Sequence, residues 1–176
     1  SFGTELLHWL ETYTFPAELR YADPAVCAAG SSRFLDALLA HGTTAAVVFP
    51  TVHKASAEAL FSAAEQRGMC IISGKCLMDR NAPPGLTETL QSAERDSVDL
   101  IERWHGRGRL AYAVTPRFAP TSSPEQLAAA GALLAAHPDV YLQTHLAETQ
   151  DELAWVRRLY PEAADYLDVY ARHGLL

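Results

Sequence analysis

Residues 140–156, VYLQTHLAETQDELAWV, place a histidine and a glutamate where an apolar strand pattern changes into a helical one. His145 ends the predicted strand, and Glu148 lies in the loop before a helix that we expect Thr149 to cap, with Glu152 completing a capping box. A neutral imidazole nitrogen is a good ligand for a divalent metal, and a nearby carboxylate could carry protons for a metal-bound water. The spacing is therefore compatible with metal-dependent hydrolysis. A histidine that only forms hydrogen bonds and a glutamate that only compensates a helix dipole would explain the same pattern.

Arg117 and Phe118 form a second pair of candidates, in the loop TPRFAPTSS that follows the preceding predicted strand. The planar guanidinium can bind a carbonyl oxygen and an adjacent ring nitrogen together, and the aromatic side chain offers an apolar face to a flat ring. The pair would suit a heterocyclic ligand. An arginine that caps a helix or pairs with a loop carboxylate, beside a phenylalanine in the core, accounts for the same residues.

Strand and helix patterns alternate along most of the chain and would position these groups. Four short apolar runs predict strands, at 43–49, 69–73, 110–114 and 140–145, and a helical pattern follows each of them. Strands that alternate with helices of this length indicate right-handed βαβ units and a parallel sheet. The fold class is therefore α/β, either an open doubly wound sheet or part of a (β/α)8 barrel, which needs about 250 residues when complete. No G-x-G-x-x-G sequence follows any predicted strand, so dinucleotide binding has no support.

Two helices are predicted before the first strand. Leu6, Leu7 and Leu10 have helical spacing, and we expect Pro16 to end that helix. Asp23 is the expected cap of the second helix, because it stands directly before a proline at the first helical position.

The loops that leave the carboxyl ends of the strands build the site in a parallel α/β fold. Besides the two loops above, this edge contains GKCLMDRNAPPGL, residues 74–86, whose glycines and prolines are typical of a shaped loop. We interpret its Asp79, Arg80 and Asn81 as turn-forming or supporting residues. The other histidines fall in predicted helices or at helix ends, where solvation or dipole compensation accounts for them: His8, His41, His53, His105, His137 and His173.

The composition indicates a soluble, packed protein and argues against two classes of partner. Of the 176 residues, 49% are hydrophobic and 20% are charged, and the formal net charge of −7 disfavours binding to nucleic acid or to an anionic membrane. No apolar run approaches the roughly 20 residues needed to cross a bilayer. Cys27, Cys70 and Cys76 form no C-x-x-C pair and indicate reduced thiols, so we expect a cytoplasmic protein. The ends of the sequence suggest a piece of a longer protein.

Three stretches together resemble the guanine deaminases, zinc enzymes of the amidohydrolase superfamily: KCLMDRNAPPGL, IERWHGRGRLAYAVTPRFAPTSSPEQL and THLAETQDELAWVRRLYPEAADYLDVY. The resemblance runs through nearly all of the chain. It implies a (β/α)8 barrel that hydrolyses guanine to xanthine and ammonia with a zinc-activated water, and a homodimer when full length. It also implies that His145 binds zinc, that Glu148 relays protons, that Arg117 and Phe118 contact the purine, and that all four residues border the substrate.

The resemblance also implies where this chain lies in such a barrel. If His145 closes the fifth strand, the four predicted strands are barrel strands two to five, and residues 1–176 are the central part of a metal-dependent hydrolase domain. The family's other zinc ligands, which follow strands one, six and eight, would then lie outside the chain together with those strands. A catalytic zinc needs about three protein ligands and an open position. We therefore expect the segment alone to bind zinc weakly, to lack deaminase activity and to associate through its unpaired sheet edges.

Two other functions fit the same residues. Another zinc amidohydrolase could deaminate or dechlorinate a different nitrogen heterocycle and reuse the TPRF loop. A non-catalytic α/β binding module would use His145 and Glu148 only as structural groups. A panel of substrates would separate the first alternative from guanine deamination, and the metal content of the protein would test the second.

Overall fold

A computed structural model describes residues 6–176, which form a parallel β-sheet with helices packed along it. The strands are β1 (Ala45–Val48), β2 (Cys70–Ser73), β3 (Cys76–Leu77), β4 (Leu110–Pro116) and β5 (Tyr141–Leu142). The α-helices are α1 (Leu6–Trp9), α2 (Phe15–Leu19), α3 (Pro24–Ala40), α4 (Lys54–Gln66), α5 (Leu90–Trp104), α6 (Pro124–Ala136), α7 (Gln150–Leu159) and α8 (Tyr166–Arg172). None of these helices is long and apolar enough to cross a membrane.

The pairing of the strands confirms the predicted parallel α/β sheet. β1 pairs with β2, β2 pairs with β4, and β5 also pairs with β4, all of them in parallel. Each strand that follows a helix therefore lies beside the strand before that helix, as successive βαβ units require. Helices α3, α4, α5 and α6 pack against one another in the same order. This arrangement brings the loops after β4 and β5 to one edge of the sheet.

Strand β3 lies within residues 74–86, where the sequence predicted a loop. It pairs with the last residues of β4, so it prolongs the pairing of β2 and β4 beyond a break at Gly74 and Lys75. A Cβ atom at Gly74 would lie only 1.8 Å from the carbonyl oxygen of Ala113, so the two backbones can approach this closely only at a glycine. The extension carries the loop after β3 to the same sheet edge as the loop after β4.

The first helical segment does not end at Pro16, and the sequence prediction was wrong on this point. Helix α1 continues through a π-helical turn (Leu10–Thr14) into α2, where the proline lies in the first turn. The amide of Phe15 donates to the carbonyl oxygen of Leu10 across the π-helical turn, and Pro16, which has no amide hydrogen, follows where the pattern changes from π-helical to α-helical. Leu10 and Phe15 of this helical run pack against Phe118 at the sheet edge. Residues 1–5 of the predicted helix lie outside the described residues.

Most of the buried apolar side chains lie between the sheet and the helices. Phe61, Tyr112 and Leu127 belong to this core and are fully buried. In contrast, Val47 of β1 and Tyr141 of β5 are 62% and 52% exposed, so residues 6–176 leave part of the opposite face of the sheet uncovered. In a closed barrel, this opposite face is the interior.

Candidate active site

A small cavity of about 70 Å³ lies at the sheet edge where β4 and β5 end. Arg117, Phe118, His145 and Glu148 all border it, so the structure brings together every site residue that the sequence suggested. The rest of its wall comes from the N-terminal helical run: Leu6, Trp9 and Leu10. Helical spacing predicted the helix that contains Leu6 and Leu10, but spacing alone does not show where that helix packs.

The backbone of the neighbouring loop orients the imidazole of His145. Its Nδ1 lies 2.9 Å from the carbonyl oxygen of Arg117, and the backbone amide of His145 donates to the same oxygen at 3.0 Å. Because a carbonyl oxygen can only accept, the neutral ring carries its proton on Nδ1 and keeps a lone pair on Nε2. Phe49 packs on the ring, with 4.3 Å between centroids. His145 thus presents the kind of nitrogen that binds metals.

The carboxylate of Glu148 lies near this nitrogen without a direct hydrogen bond. Its Oε1 is 3.9 Å from Nε2 of His145, and the two side chains are 38% and 39% exposed. Between them, Ala147 has a φ of 57°, a left-handed conformation that is unfavourable for a residue with a side chain. This strained turn allows the side chains of His145 and Glu148 to reach one cavity.

A capping box fixes the backbone on the helix side of Glu148, as the sequence predicted. The Thr149 side chain accepts from the amide of Glu152, and the Glu152 carboxylate accepts from the amides of Thr149 at 3.3 Å and Glu148 at 2.7 Å. Glu152 is fully buried, and its second carboxylate oxygen accepts from the Tyr166 hydroxyl at 2.8 Å. Helix α7 therefore holds the backbone of Glu148 while the Glu148 side chain borders the cavity.

Arg117 pairs with a carboxylate, which is the alternative that its sequence pattern left open. Its Nη1 lies 2.7 and 2.9 Å from the two carboxylate oxygens of Glu18, and the guanidinium carbon lies 5.5 Å from the centre of the Phe15 ring. The side chains of Arg117 and Glu18 are only 11% and 14% exposed, so solvent screens this ion pair weakly. Sequence reasoning missed Glu18, because it lies 99 positions away and reaches Arg117 only when the helix continues past Pro16.

Phe118 forms an apolar side of the cavity. It is 3% exposed and meets Trp155 edge to face, with 6.4 Å between ring centroids. Cys76 is fully buried in the same apolar cluster, and burial raises the pKa of its thiol to about 12, so the thiol is protonated at neutral pH. An aromatic wall beside a buried arginine suits a flat, polar-edged ring.

Hydrogen bonds link the loop after β3 to the loop after β4. They confirm the supporting role that the sequence analysis assigned to Asp79, Arg80 and Asn81. The Asp79 carboxylate accepts from the backbone amide of Ser123 at 2.7 Å. Asn81 donates from its side-chain amide to the carbonyl oxygen of Pro120 at 2.6 Å, and Arg80 donates to a tyrosine hydroxyl at 2.8 Å. These three residues therefore shape the edge of the site.

His145 and Glu148 fit part of a metal site. Within residues 6–176, no group of three or more histidine, cysteine, aspartate or glutamate side chains is placed to hold a metal ion. His145 would supply one ligand through Nε2, because its Nδ1 is held by the Arg117 carbonyl oxygen, and Glu148 would supply a nearby carboxylate for proton transfer. Since a catalytic zinc takes about three protein ligands, further ligands would have to come from outside this part of the chain.

Comparisons with known proteins identify the family of this chain. The profile of the Amidohydrolase family matches residues 2–176. The guanine deaminase of Escherichia coli strain K12 is 53% identical over 175 residues, which cover 99% of this chain and 40% of the relative. The chain therefore spans about 40% of the length of this relative, and it covers the same share of a probable guanine deaminase of Deinococcus radiodurans.

Solved structures share the arrangement described above. The E. coli guanine deaminase superposes with a TM-score of 0.98 at 52% identity, covering 99% of this chain and 40% of that one. A guanine deaminase from C. acetobutylicum with guanine in its active site superposes with a TM-score of 0.95 at 33% identity, covering 98% and 41%. A mutant atrazine chlorohydrolase from Arthrobacter aurescens, complexed with zinc and atraton, has a TM-score of 0.81 at 20% identity, covers 98% and 41%, and shows the fold alone. The sheet and its helices are thus part of a TIM-type barrel, and the chain belongs to the amidohydrolase family.

Proposed function

We propose that this chain is the central part of a zinc-dependent guanine deaminase, which hydrolyses guanine to xanthine and ammonia in purine catabolism. One observation carries the proposal: four candidate site residues border a single cavity in a chain that is 53% identical to a guanine deaminase over 175 residues. In this proposal β1, β2, β4 and β5 are barrel strands two to five, and strand one and strands six to eight lie outside the chain.

His145 would bind the zinc through Nε2, the ring nitrogen that the backbone leaves unengaged. When bound, zinc lowers the pKa of water and so supplies a hydroxide nucleophile at neutral pH. The hydrogen bond from Nδ1 to the Arg117 carbonyl fixes the tautomer and the plane of the ring before any ligand binds. The remaining ligands would come from other strands of the barrel.

Glu148 would move protons at the purine ring. It would take a proton from the attacking water and deliver it to a ring nitrogen as the amino-bearing carbon becomes tetrahedral. It would then move the remaining proton of the added hydroxyl group to the departing amine, which leaves as ammonia. The position of Glu148 supports this role, because its carboxylate borders the cavity 3.9 Å from His145 and remains partly open to solvent.

Arg117 and Phe118 would select the ring. Phe118 offers an apolar face to the purine, and the guanidinium of Arg117, aligned by Glu18 through Nη1, would donate to the ring carbonyl of guanine. Adenine has no such carbonyl, and leaving a buried donor unpaired costs about 1–3 kcal/mol. The site should therefore reject adenine.

A substrate panel on the full-length protein tests the proposal. We expect zinc-loaded enzyme to release ammonia from guanine with a kcat/KM well above that for adenine, cytosine or amino- and chlorotriazines. Equal activity on these compounds would indicate an amidohydrolase for another heterocycle. If the protein purified without chelators held no stoichiometric zinc, and His145→Ala changed none of its properties, a non-catalytic binding module would be the better interpretation.

The free thiols and the family resemblance bear on the location and the assembly of the enzyme. Cys27, Cys70 and Cys76 are all free thiols, which supports the reducing cytoplasm as the location we propose. A homodimer remains a prediction from the family resemblance, and light scattering on the full-length protein would check it.

A further inference from the structure

Helix α8 packs behind the site and carries two stacked tyrosines. The ring centroids of Tyr166 and Tyr170 are 5.7 Å apart, with 26° between the ring planes. The residues are 6% and 1% exposed, and neither borders the cavity described above. Their hydroxyl groups nevertheless contact the backbone that carries the candidate catalytic residues.

The Tyr170 hydroxyl connects the loop after β5 to the loop after β4. It donates to the carbonyl oxygen of His145 at 2.9 Å and accepts from the backbone amide of Ala119 at 3.0 Å. The Thr144 hydroxyl donates to the hydroxyl oxygen of Tyr170 at 3.0 Å. One buried hydroxyl therefore fixes the distance between His145 and the loop that contains Arg117 and Phe118.

The Tyr166 hydroxyl makes a second, indirect connection. It donates to one carboxylate oxygen of Glu152 at 2.8 Å, while the other oxygen accepts from the amide of Glu148 at 2.7 Å. Glu152 is fully buried, and a rotation of its carboxylate would break these hydrogen bonds. Tyr166 thus restrains the backbone of Glu148 through one intermediate side chain.

Both hydroxyl groups keep their protons over the physiological range. Burial raises the pKa of Tyr166 and of Tyr170 above the ordinary tyrosine value. The two donors therefore stay available to their acceptors.

We propose that Tyr170 and Tyr166 are positioning residues, which set the placement of His145 relative to Glu148 from behind the site. The catalytic consequence rests on the proposed deaminase function, whereas the hydrogen bonds can be tested without it. His145 and Glu148 are separated by 3.9 Å and lie on a strained loop, so a small backbone shift would change how both groups meet a substrate.

Tyr170→Phe in the full-length protein is the main test, because phenylalanine keeps the stacked ring and removes only the hydroxyl. Tyr112→Phe is the matched control: Tyr112 is fully buried in the core, and its hydroxyl makes none of the hydrogen bonds to His145, Ala119 and Glu152 that Tyr170 and Tyr166 make. Losing support behind a metal-ligand residue typically costs about 10- to 100-fold. We expect kcat for guanine to fall by about that factor in Tyr170→Phe, with KM changed less, and to stay within about twofold in the control.

Amide hydrogen exchange gives a readout that does not depend on activity. Tyr170→Phe should speed exchange at Ala119, and Tyr166→Phe at Glu148, each by about tenfold, the effect of losing one typical hydrogen bond. Unchanged exchange and kcat in both variants would overturn the inference, as would an equal loss of kcat in Tyr112→Phe.

Two further outcomes separate this inference from the proposed function. If the wild-type protein does not deaminate guanine but the exchange changes appear, the deaminase proposal fails and the positioning role stands. If Tyr170→Phe does not fold, Tyr166→Phe decides the matter by the same two measurements, because its hydroxyl acts on a separate part of the loop.

Discussion

The distance between the Glu148 carboxylate and the His145 imidazole bears on whether Glu148 carries protons or binds a metal. At 3.9 Å from Nε2, the Glu148 carboxylate is close enough to serve a reacting group and is not itself fixed against the imidazole. A proton carrier needs this freedom, whereas a metal ligand does not.

Glu148→Gln should therefore separate proton transfer from metal binding in the full-length protein. The amide keeps the shape of the side chain but cannot exchange protons, so we expect kcat for guanine to fall by about 10²- to 10⁴-fold while zinc content stays stoichiometric. Steady-state kinetics and atomic absorption measure the two quantities. Loss of zinc in this variant would contradict the assigned role.

Arg117→Ala should weaken ring recognition more than chemistry. A hydrogen bond from a charged donor is worth about 1.5–3 kcal/mol, so KM for guanine should rise by roughly 10- to 100-fold. Arg103→Ala is the control, since its ion pair with Glu58 lies on the surface and should matter little. An unchanged KM in Arg117→Ala would count against contact with the purine.

His53 makes stability depend on pH. Burial, and then the nearby Lys75 ammonium, lower the pKa of its imidazole in the folded state. The unfolded chain has the ordinary value near 6.5, so below about pH 6.5 it takes up a proton that the folded protein does not. The contribution of His53 to stability is thus present above that pH and is lost as the pH falls through the lowered folded pKa.

His53→Gln should remove this part of the pH dependence. The urea midpoint of the wild-type protein should fall more steeply between about pH 7 and pH 5 than that of the variant, because glutamine does not titrate. Parallel curves for the two proteins would show that His53 keeps its ordinary pKa in the folded state.

At the scale of the elements, helices α6 and α8 meet at a point where only a glycine fits. A Cβ atom at Gly131 would lie 1.9 Å from the carbonyl oxygen of His173, just after α8. The position of α8 therefore depends on a backbone contact with α6. Since α8 carries Tyr170, which donates to the His145 carbonyl oxygen, this contact also influences the position of His145.

Gly131→Ala should destabilise the full-length protein, although alanine normally favours a helix by about 1 kcal/mol. Overpacking of this kind costs about 1–3 kcal/mol, and the displaced α8 should also lower kcat. Ala132→Ser, at an exposed position of the same helix, is the control. Thermal unfolding and kinetics would measure the two effects. If Gly131→Ala were more stable than the wild-type protein, α6 and α8 could move apart without loss of stability.

Local patterns predicted the repeating elements of this fold but not the contacts between distant ones. Each of β1, β2 and β5 lies within a predicted apolar run, and β4 extends two residues beyond its predicted end. The prediction that His145 ends its strand was wrong, because β5 ends at Leu142. The capping box at Thr149 follows from two residues three positions apart. The helix continues past Pro16 because Leu10 and Phe15 pack against Phe118, and residue spacing within the segment does not predict that contact. For the same reason, the sequence suggested Arg117 as a site residue but not its partner Glu18.

At the scale of the whole molecule, the sheet edges of this chain are open. Within the described part, β1 pairs only with β2 and β5 only with β4, and the exposed Val47 and Tyr141 lie on these two strands. Unpaired strand edges beside exposed apolar side chains favour association.

The 176-residue chain, produced alone, should therefore associate, bind zinc weakly and form no xanthine. Size-exclusion chromatography with light scattering, metal analysis and a guanine assay would test these three expectations against the full-length protein. Val47→Ser with Tyr141→Ser should reduce association, because it removes apolar surface from both edges. A monomeric, zinc-loaded and active chain would contradict the proposed place of these strands in the barrel.

The tyrosines of α8 also make the proposed chemistry depend on a short helix. The helix has seven residues, and helices this short depend on their packing to persist. Partial opening of such a segment needs less free energy than melting the sheet. On gentle warming, the enzyme should lose activity while the spectroscopic signal of its folded structure is still unchanged. It should regain this activity on cooling.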